Sequence, residues 1–275
     1  PAVDAVVALY TPPVMGGAEL VSGARPGRES VAAAIVGAAG KGDKPVVATY
    51  LGLKGMTPDL RVLTPEGEAG PGSVPSYPAP EDAVRALAYA TRYASWRRRP
   101  QGRVPEPAGI DRERARGLVA RWLTDGGADA AELLACYGVE VTGSGGAGVG
   151  LHIVTQEDPS FGAVITFRLA DVAAALLDDR AYRLAPLTEV EAAEMVRAVR
   201  MAPLLFGHLG ADPVDIGSVE ELLLRVSQLG ADLPEVARLE LDPVLAGGSG
   251  VVVGSAKLRL ERPVGPRPEL APRRL

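Results

Sequence analysis

The first hundred residues carry their apolar positions in short unbroken runs. Residues 3–10, VDAVVALY, form a Val-rich run that stops at Thr11-Pro12-Pro13. A run this short, without alternation, predicts a parallel strand buried on both faces. From Glu29 to about Ala39 (ESVAAAIVGAA) the spacing turns helical, with Ser30 or Gly27-Arg28 as the start signal. Lys44-Pro45 opens a second strand, PVVATYLGL, so the order predicts a βαβ unit with a right-handed crossover. Residues 54–73 read as a loop, and Val74-Pro75-Ser76-Tyr77 as a short third strand. Pro80-Glu81-Asp82 begins a helix, with proline and acids in its first turn and Val84, Leu87, Ala88 and Ala94 as its apolar positions.

The pattern then breaks. Residues 100–110, PQGRVPEPAGI, hold three prolines and two glycines and predict an interdomain linker. Two helices follow, Asp111 to Leu123 and Ala128 to Tyr137, the second ending at Gly138 as its C′ glycine. Val139-Glu140-Val141 starts a strand that runs into TGSGGAGVG. Residues 149–157 and 163–169 are strands around Asp158-Pro159-Ser160-Phe161-Gly162, a spacing that predicts an antiparallel hairpin. Thr188 and Glu191 form a capping box for the next helix, and another helix spans about Val219 to Leu229. The segment RLELDPVLAGGSGVVVGSAKLRL predicts a closing hairpin around Gly247-Gly248-Ser249-Gly250. The expected class is α/β: a parallel-sheet domain followed by a smaller α+β layer.

Composition narrows the class. The chain has 275 residues, enough for about two domains. Apolar residues reach 47% and aromatics only 4%, so the cores must be built from Val, Leu and Ala. The Gly and Pro content resembles a GC-rich bacterial coding style. The net charge of −5 gives no general basic field, so nucleic-acid binding is not expected. The run Arg97-Arg98-Arg99 suits the C-terminal end of a helix dipole. A single cysteine, Cys136, excludes an intrachain disulfide and fits a reducing cytoplasm. No apolar run reaches membrane-spanning length, so no membrane partner is expected. Because the chain opens at Pro1 and enters a strand pattern at once, it reads as part of something longer.

Five segments in order, EDAVRALAYATRYASWRRRP, AELLACYGVEV, EDPSFGAVITF, DDRAYRLAPLTEVEA and LPEVARLELDPVL, resemble the ADP-forming acyl-CoA synthetases, the acetate–CoA ligase family related to succinyl-CoA synthetase. More narrowly, the chain resembles the ligase module fused to GNAT protein-lysine acetyltransferase domains in actinobacteria. The resemblance implies a flavodoxin-like, succinyl-CoA ligase-like domain over residues 1–100, a linker over 101–110 and ATP-grasp entry helices over 111–142. It further implies a Gly/Ser spacer over 143–148, an incomplete ATP-grasp second lobe over 149–262 and a tail over 263–275. It implies ATP, Mg²⁺ and CoA as the family's cofactors. Against that pattern the sequence reads as lacking the family's CoA-binding domain, the first of its two flavodoxin-like domains, which keeps the phosphorylated histidine, and the first ATP-grasp lobe. Those missing domains are the implied partners, with a GNAT acetyltransferase domain or a second copy of the chain as further candidates. A phosphate-cradling loop needs Lys and Ser/Thr at set offsets before a helix. GSGGAGVG has no lysine and leads into a strand, so it reads as a connector.

The resemblance also nominates site residues. Leu239-Glu240-Leu241-Asp242-Pro243 aligns with a family segment whose Asn helps to hold Mg²⁺, and Asp242 stands in its place as metal and nucleotide candidate. The family's second metal-holding acid aligns with Ser255. A competing reading puts Glu240 and Asp242 on the solvated face of an edge strand, alternating with Leu239 and Leu241. Family glycines near the nucleotide read Ala170-Asp171, and family glutamates read Ala175 and Gly150, a pattern of decay. Arg180 matches the family; it either meets a phosphate or pairs with Asp178 or Asp179. His152 and His208 match no family phosphohistidine, and two histidines with one cysteine argue against a zinc site. Trp96 and Trp122 read as helix-packing residues and Cys136 as a small buried hydrophobe. Two functions remain in view: part of an acid–CoA ligase that is inactive alone, or a non-catalytic sensory or scaffold module of an acetyltransferase.

Overall fold

A computed structural model describes residues 3–10, 28–50, 58–100, 102–143, 148–210, 212–263 and 265. The chain divides into two compact units, Pro1–Arg99 and Pro100–Leu275.

In the first unit, β1 (Val6–Tyr10), α1 (Arg28–Lys41), β2 (Val46–Tyr50), β3 (Ser76–Tyr77) and α2 (Pro80–Arg98) follow the predicted order. The sheet is parallel in the order β1-β2-β3, with Val6 opposite Val46 and Ala48 opposite Ser76. The loop between β2 and β3 contains a 3₁₀ turn at Pro58–Leu60, which sends Leu60 into the core with Ala32, Ala48 and Val74. Residues 51–53 of the expected second strand and the Gly27 cap lie outside the described residues. The face of α2 is rotated from the predicted one. Ala83 is buried and Val84 is exposed, and the helix packs on all three strands. Trp96 is not a packing residue within this unit; it is half exposed and stacks on Tyr93, centroids 5.7 Å apart.

The second unit begins with α3 (Arg112–Asp125) and α4 (Ala130–Ala135). Both have aspartate N-caps: Asp111 accepts from the Arg114 amide, and Asp129 accepts from the Ala131 and Glu132 amides. Their inner faces, including Trp122, Leu133 and Leu134, join one large core. Tyr137, just past α4, is fully buried there, and its hydroxyl donates to Asp232 Oδ2 at 3.2 Å. Arg112 Nε at 2.8 Å and Gln228 Nε2 at 2.8 Å also donate to that carboxylate. Burial first, and then the negative Asp232, push the Tyr137 phenol well above its usual range. A folded pKa above the unfolded value of about 10 means that the contribution is complete below that pH and lost above it. Tyr137→Phe is therefore expected to cost about 1 kcal/mol at pH 8 and to flatten the loss of stability above pH about 10. Urea unfolding at both pH values checks this; equal pH slopes would refute it.

The rest of the unit is a six-stranded sheet. It contains β4 (Val149–Asp158), β5 (Gly162–Leu169), β6 (Ala181–Leu184), β7 (Val236–Gly247), β8 (Gly250–Val253) and β9 (Ala256–Leu260). The order is β6-β5-β4-β7-β8, with β9 also on β7. The predicted β4–β5 hairpin forms, and Asp158 Oδ1 accepts from the Ser160 and Phe161 amides across its turn. Helices α5 (Val172–Leu176), α6 (Glu189–Ala198) and α7 (Ile216–Asp232) complete the unit. The capping box is present: Thr188 Oγ1 accepts from the Glu191 amide, and Glu191 Oε2 from the Thr188 amide. Helix α7 buries Val219, Leu222, Leu223, Val226 and Leu229, a helical stripe laid on β4 and β5. At Gly230 an added Cβ would lie 2.5 Å from Thr155 Cγ2, so this helix approaches the sheet too closely for a side chain.

Two expectations are corrected. The closing segment is three strands, not a two-stranded hairpin. β8 ends at Val253, and β9 then pairs with the N-terminal half of β7. The break falls at Gly254, where a Cβ would lie 3.1 Å from the Pro243 carbonyl oxygen. Consequently β7 is not an edge strand: it has β4 on one side and β8 and β9 on the other.

Candidate functional site

Alternation along the strands divides the sheet into two faces. Ile153, Phe167, Leu239 and Leu241 are fully buried and belong to the core beneath α6 and α7. His152, Gln156, Thr166, Arg168, Tyr182, Arg238, Glu240 and Lys257 take the alternate positions and share the other face. The register places His152 opposite Arg168, Gln156 opposite Arg238, and Glu240 opposite Lys257.

The centre of this face is a bulge. Leu151 pairs with Val244 and Ile153 with Leu241, so Asp242 and Pro243 together face the single residue His152. A bulge re-aims side chains and commonly lies beside a site. Here it brings ligand atoms of His152, Glu240 and Asp242 within 4.8 Å of one another. His152 Nε2 lies 3.1 Å from Glu240 Oε1, and Nδ1 is buried with no hydrogen-bond partner among the described residues. Arg238 donates to the other carboxylate oxygen, Glu240 Oε2, from Nη2 at 3.0 Å and from Nε at 3.2 Å. It also reaches Gln156 Oε1 at 2.8 Å. The His152 hydrogen bond holds the Glu240 carboxyl below its usual value; partial burial opposes this and Arg238 adds to it. The Asp242 amide donates to the Ser255 carbonyl oxygen at 3.1 Å, so the residue aligned with the family's second acid does adjoin Asp242.

The sequence-nominated residues are thus partly gathered. Glu240 and Asp242 lie together. Arg180 does not join them: it precedes β6, with β5 and β4 between it and β7, about 14 Å across the sheet. Its guanidinium pairs with Asp178. Asp179, the other expected partner, is buried and accepts from the Arg200 and Met201 amides. His152 was not nominated; the residue counts spoke against a zinc site, and here one histidine stands with two carboxylates. Only the strand register, with its bulge, puts it opposite Asp242. The spacer residues 144–147 lie outside the described residues. Flanking them, Gly148 packs too tightly against the Ala246 carbonyl oxygen to admit a Cβ.

Elsewhere in this unit, a groove of about 670 Å³ runs between residues 138–142, the start of α7 and β8. Its charged groups other than Glu140 are already committed. Asp215 caps α7 through the Ser218 amide, and Arg225 binds Glu221 and the Tyr137 carbonyl oxygen.

Residues 128–260 match the ATP-grasp domain family. The acetate–CoA ligase [ADP-forming] I of Archaeoglobus fulgidus is 43% identical over 103 residues, which are 38% of this chain and 15% of that protein. The beta subunit of acetate–CoA ligase [ADP-forming] II of Pyrococcus furiosus is 36% identical over 112 residues, 40% of this chain and 48% of the subunit. Among solved structures, the apo dinucleotide-forming acetyl-coenzyme A synthetase 1 of Ca. Korarchaeum cryptofilum is 36% identical, with a TM-score of 0.42, over 43% of this chain and 56% of that one. The chain therefore carries an ATP-grasp domain. That domain is homologous to the ADP-forming acetate–CoA ligases, of the kind found in their beta subunits. The match spans less than half the length of these curated relatives.

Proposed function

We propose that this chain is the ATP-side part of an ADP-forming acid–CoA ligase-like module and does not turn over alone. The observation that carries the reading is the Glu240-x-Asp242 pair at the bulge of an ATP-grasp sheet, on a face that also bears Arg168, Arg238 and Lys257. Polyphosphate needs such cations, and its bridging Mg²⁺ needs hard oxygen ligands. Asp242 fits that role, because among the described residues its carboxylate has no hydrogen-bond partner. Glu240 fits less well, since His152 and Arg238 already occupy its two oxygens. Bound ATP and Mg²⁺ would supply the phosphoryl group and its charge neutralisation, and CoA the acyl acceptor; no residue here is assigned to CoA. Arg180, three strands from the pair, serves as an outer phosphate contact only after leaving Asp178. Catalysis needs donors preorganised around the transferred phosphoryl group on all sides. One sheet face cannot exclude water from it.

The test is acyl-CoA formation from a carboxylic acid, ATP, Mg²⁺ and CoA. The expected result is none from this chain alone, and measurable product once the CoA-binding, phosphohistidine and first-lobe domains of a relative are added. Turnover by the chain alone would overturn the reading.

A second reading, a non-catalytic sensory or scaffold module of a protein-lysine acetyltransferase, is favoured by one observation. Val172, Leu176 and Leu177 on and beside α5 are 76%, 82% and 62% exposed. They form an apolar cluster around Ala175, where the family keeps a glutamate, and such clusters commonly mark interaction sites. No product in either arm of the assay would support this alternative.

A further inference from the structure

We propose that His152, Glu240 and Asp242 form a binding site for a single divalent cation of the nitrogen-accepting class, such as Zn²⁺ or Co²⁺, and that it fills without nucleotide. The proposal goes beyond the ligase reading, which calls for Mg²⁺ carried by ATP.

Three features carry it. The first is the donor set. One imidazole and two carboxylates suit borderline cations, whereas Mg²⁺ demands near-octahedral oxygen ligands and sheds its water reluctantly. The second is proximity. The three ligand atoms lie within 4.8 Å of one another, and His152 Nε2 stands 3.1 Å from Glu240 Oε1. Bonds of about 2.1 Å to a shared cation need separations of about 3–4 Å, so the exposed Asp242 has only a short distance to close. The third is the state of the imidazole. The side chain of His152 is only 10% exposed, and among the described residues its Nδ1 has no partner. No group therefore locks the ring proton in place. Moving that proton to Nδ1 frees the Nε2 lone pair, at the loss of the Glu240 contact and with a buried N–H left without an acceptor among the described residues; the cation offsets this by binding both groups.

The surroundings define the rest. Arg238 holds Glu240 Oε2, which leaves Oε1 as a single, oriented ligand. Lys257 opposite Glu240 and Arg168 opposite His152 oppose the cation by charge. With no hydrogen bond on Nδ1 to raise the basicity of the imidazole, affinity falls at the modest end for three protein ligands. The remaining positions of the cation stay open to water or an anion.

The experiment is calorimetric titration of the chain with ZnCl₂, CoCl₂ and MgCl₂, without nucleotide, with visible absorption recorded for Co²⁺. The expected result is one saturable Zn²⁺ or Co²⁺ per chain, a Co²⁺ d–d band, and binding of Mg²⁺ weaker by about 100-fold or more. Asp242→Asn and His152→Gln should each weaken Zn²⁺ binding by about 10-fold or more, while His208→Ala leaves it unchanged. Asp242 is exposed, so its variant stays folded even if the His152 variant does not. Absence of saturable binding to the folded chain would overturn the proposal, as would Mg²⁺ binding equal to Zn²⁺ or full affinity in Asp242→Asn. None of these outcomes depends on ATP binding or acyl-CoA formation, so this site and the ligase reading can fail separately.

Discussion

Replacing Phe167 with alanine is expected to destabilise the second unit by about 3–5 kcal/mol. Phe167 is fully buried two residues before the end of β5. It lies in a cross-strand row that runs Ala181, Phe167, Ile153, Leu241, Ala256 through all the neighbouring pairs from β6 to β9. Losing the ring removes its transfer energy and leaves a cavity that the packed row cannot close. The same row fixes the register: a slip of one residue would reverse the faces and send His152 and Glu240 into the core. Phe167→Leu, which keeps most of the volume, should cost far less. Urea unfolding of both variants checks the difference, and equal losses would show that the row does not carry the load described.

The second large effect is expected at Asp179. Its carboxylate accepts from the Arg200 amide at 2.7 Å and the Met201 amide at 3.0 Å, tying the turn after α5 to the end of α6. Hydrogen bonds to a charged group contribute about 1.5–3 kcal/mol each, and truncation leaves both donors without an acceptor. Asp179→Ala should therefore cost about 3 kcal/mol or more. Asp179→Asn keeps one acceptor oxygen and should recover part of that. Asp178→Ala removes the ion pair with Arg180 on the surface and places alanine at a φ of 51°, so it should cost about 1–2 kcal/mol, still less than Asp179→Ala. If the two alanine variants lose the same amount, the anchoring role assigned to Asp179 is wrong.

The contrast between these neighbours shows where the sequence was legible. Local signals were: the Thr188–Glu191 box, the Asp158 turn and the stripe of α7 each depend on residues a few positions apart, and each forms. The alternation of Leu239, Glu240, Leu241 and Asp242 was also readable. What covers each edge of β7 was not, because β4 and β9 arrive from distant parts of the chain. For the same reason β9 merged with β8 into one expected strand. The site divided along that line. Glu240 and Asp242 are two residues apart and could be paired from sequence. His152 stands 88 positions from Glu240 and meets it only through a bulged register. In α2 the helical period was right but the face was off by one residue, since Ala83 and Val84 both satisfy an apolar pattern and only packing chooses between them.

On the proposed reading, the Glu240–Asp242 face keeps part of a nucleotide site in a chain that does not turn over alone. Calorimetric titration of the intact chain with Mg²⁺ and ATP, in metal-free buffer and repeated with Asp242→Ala, tests it most directly. The expected result is weak, saturable binding to the parent chain and its loss in the variant. No saturable heat up to millimolar nucleotide from a demonstrably folded chain, or equal binding in Asp242→Ala, would contradict it.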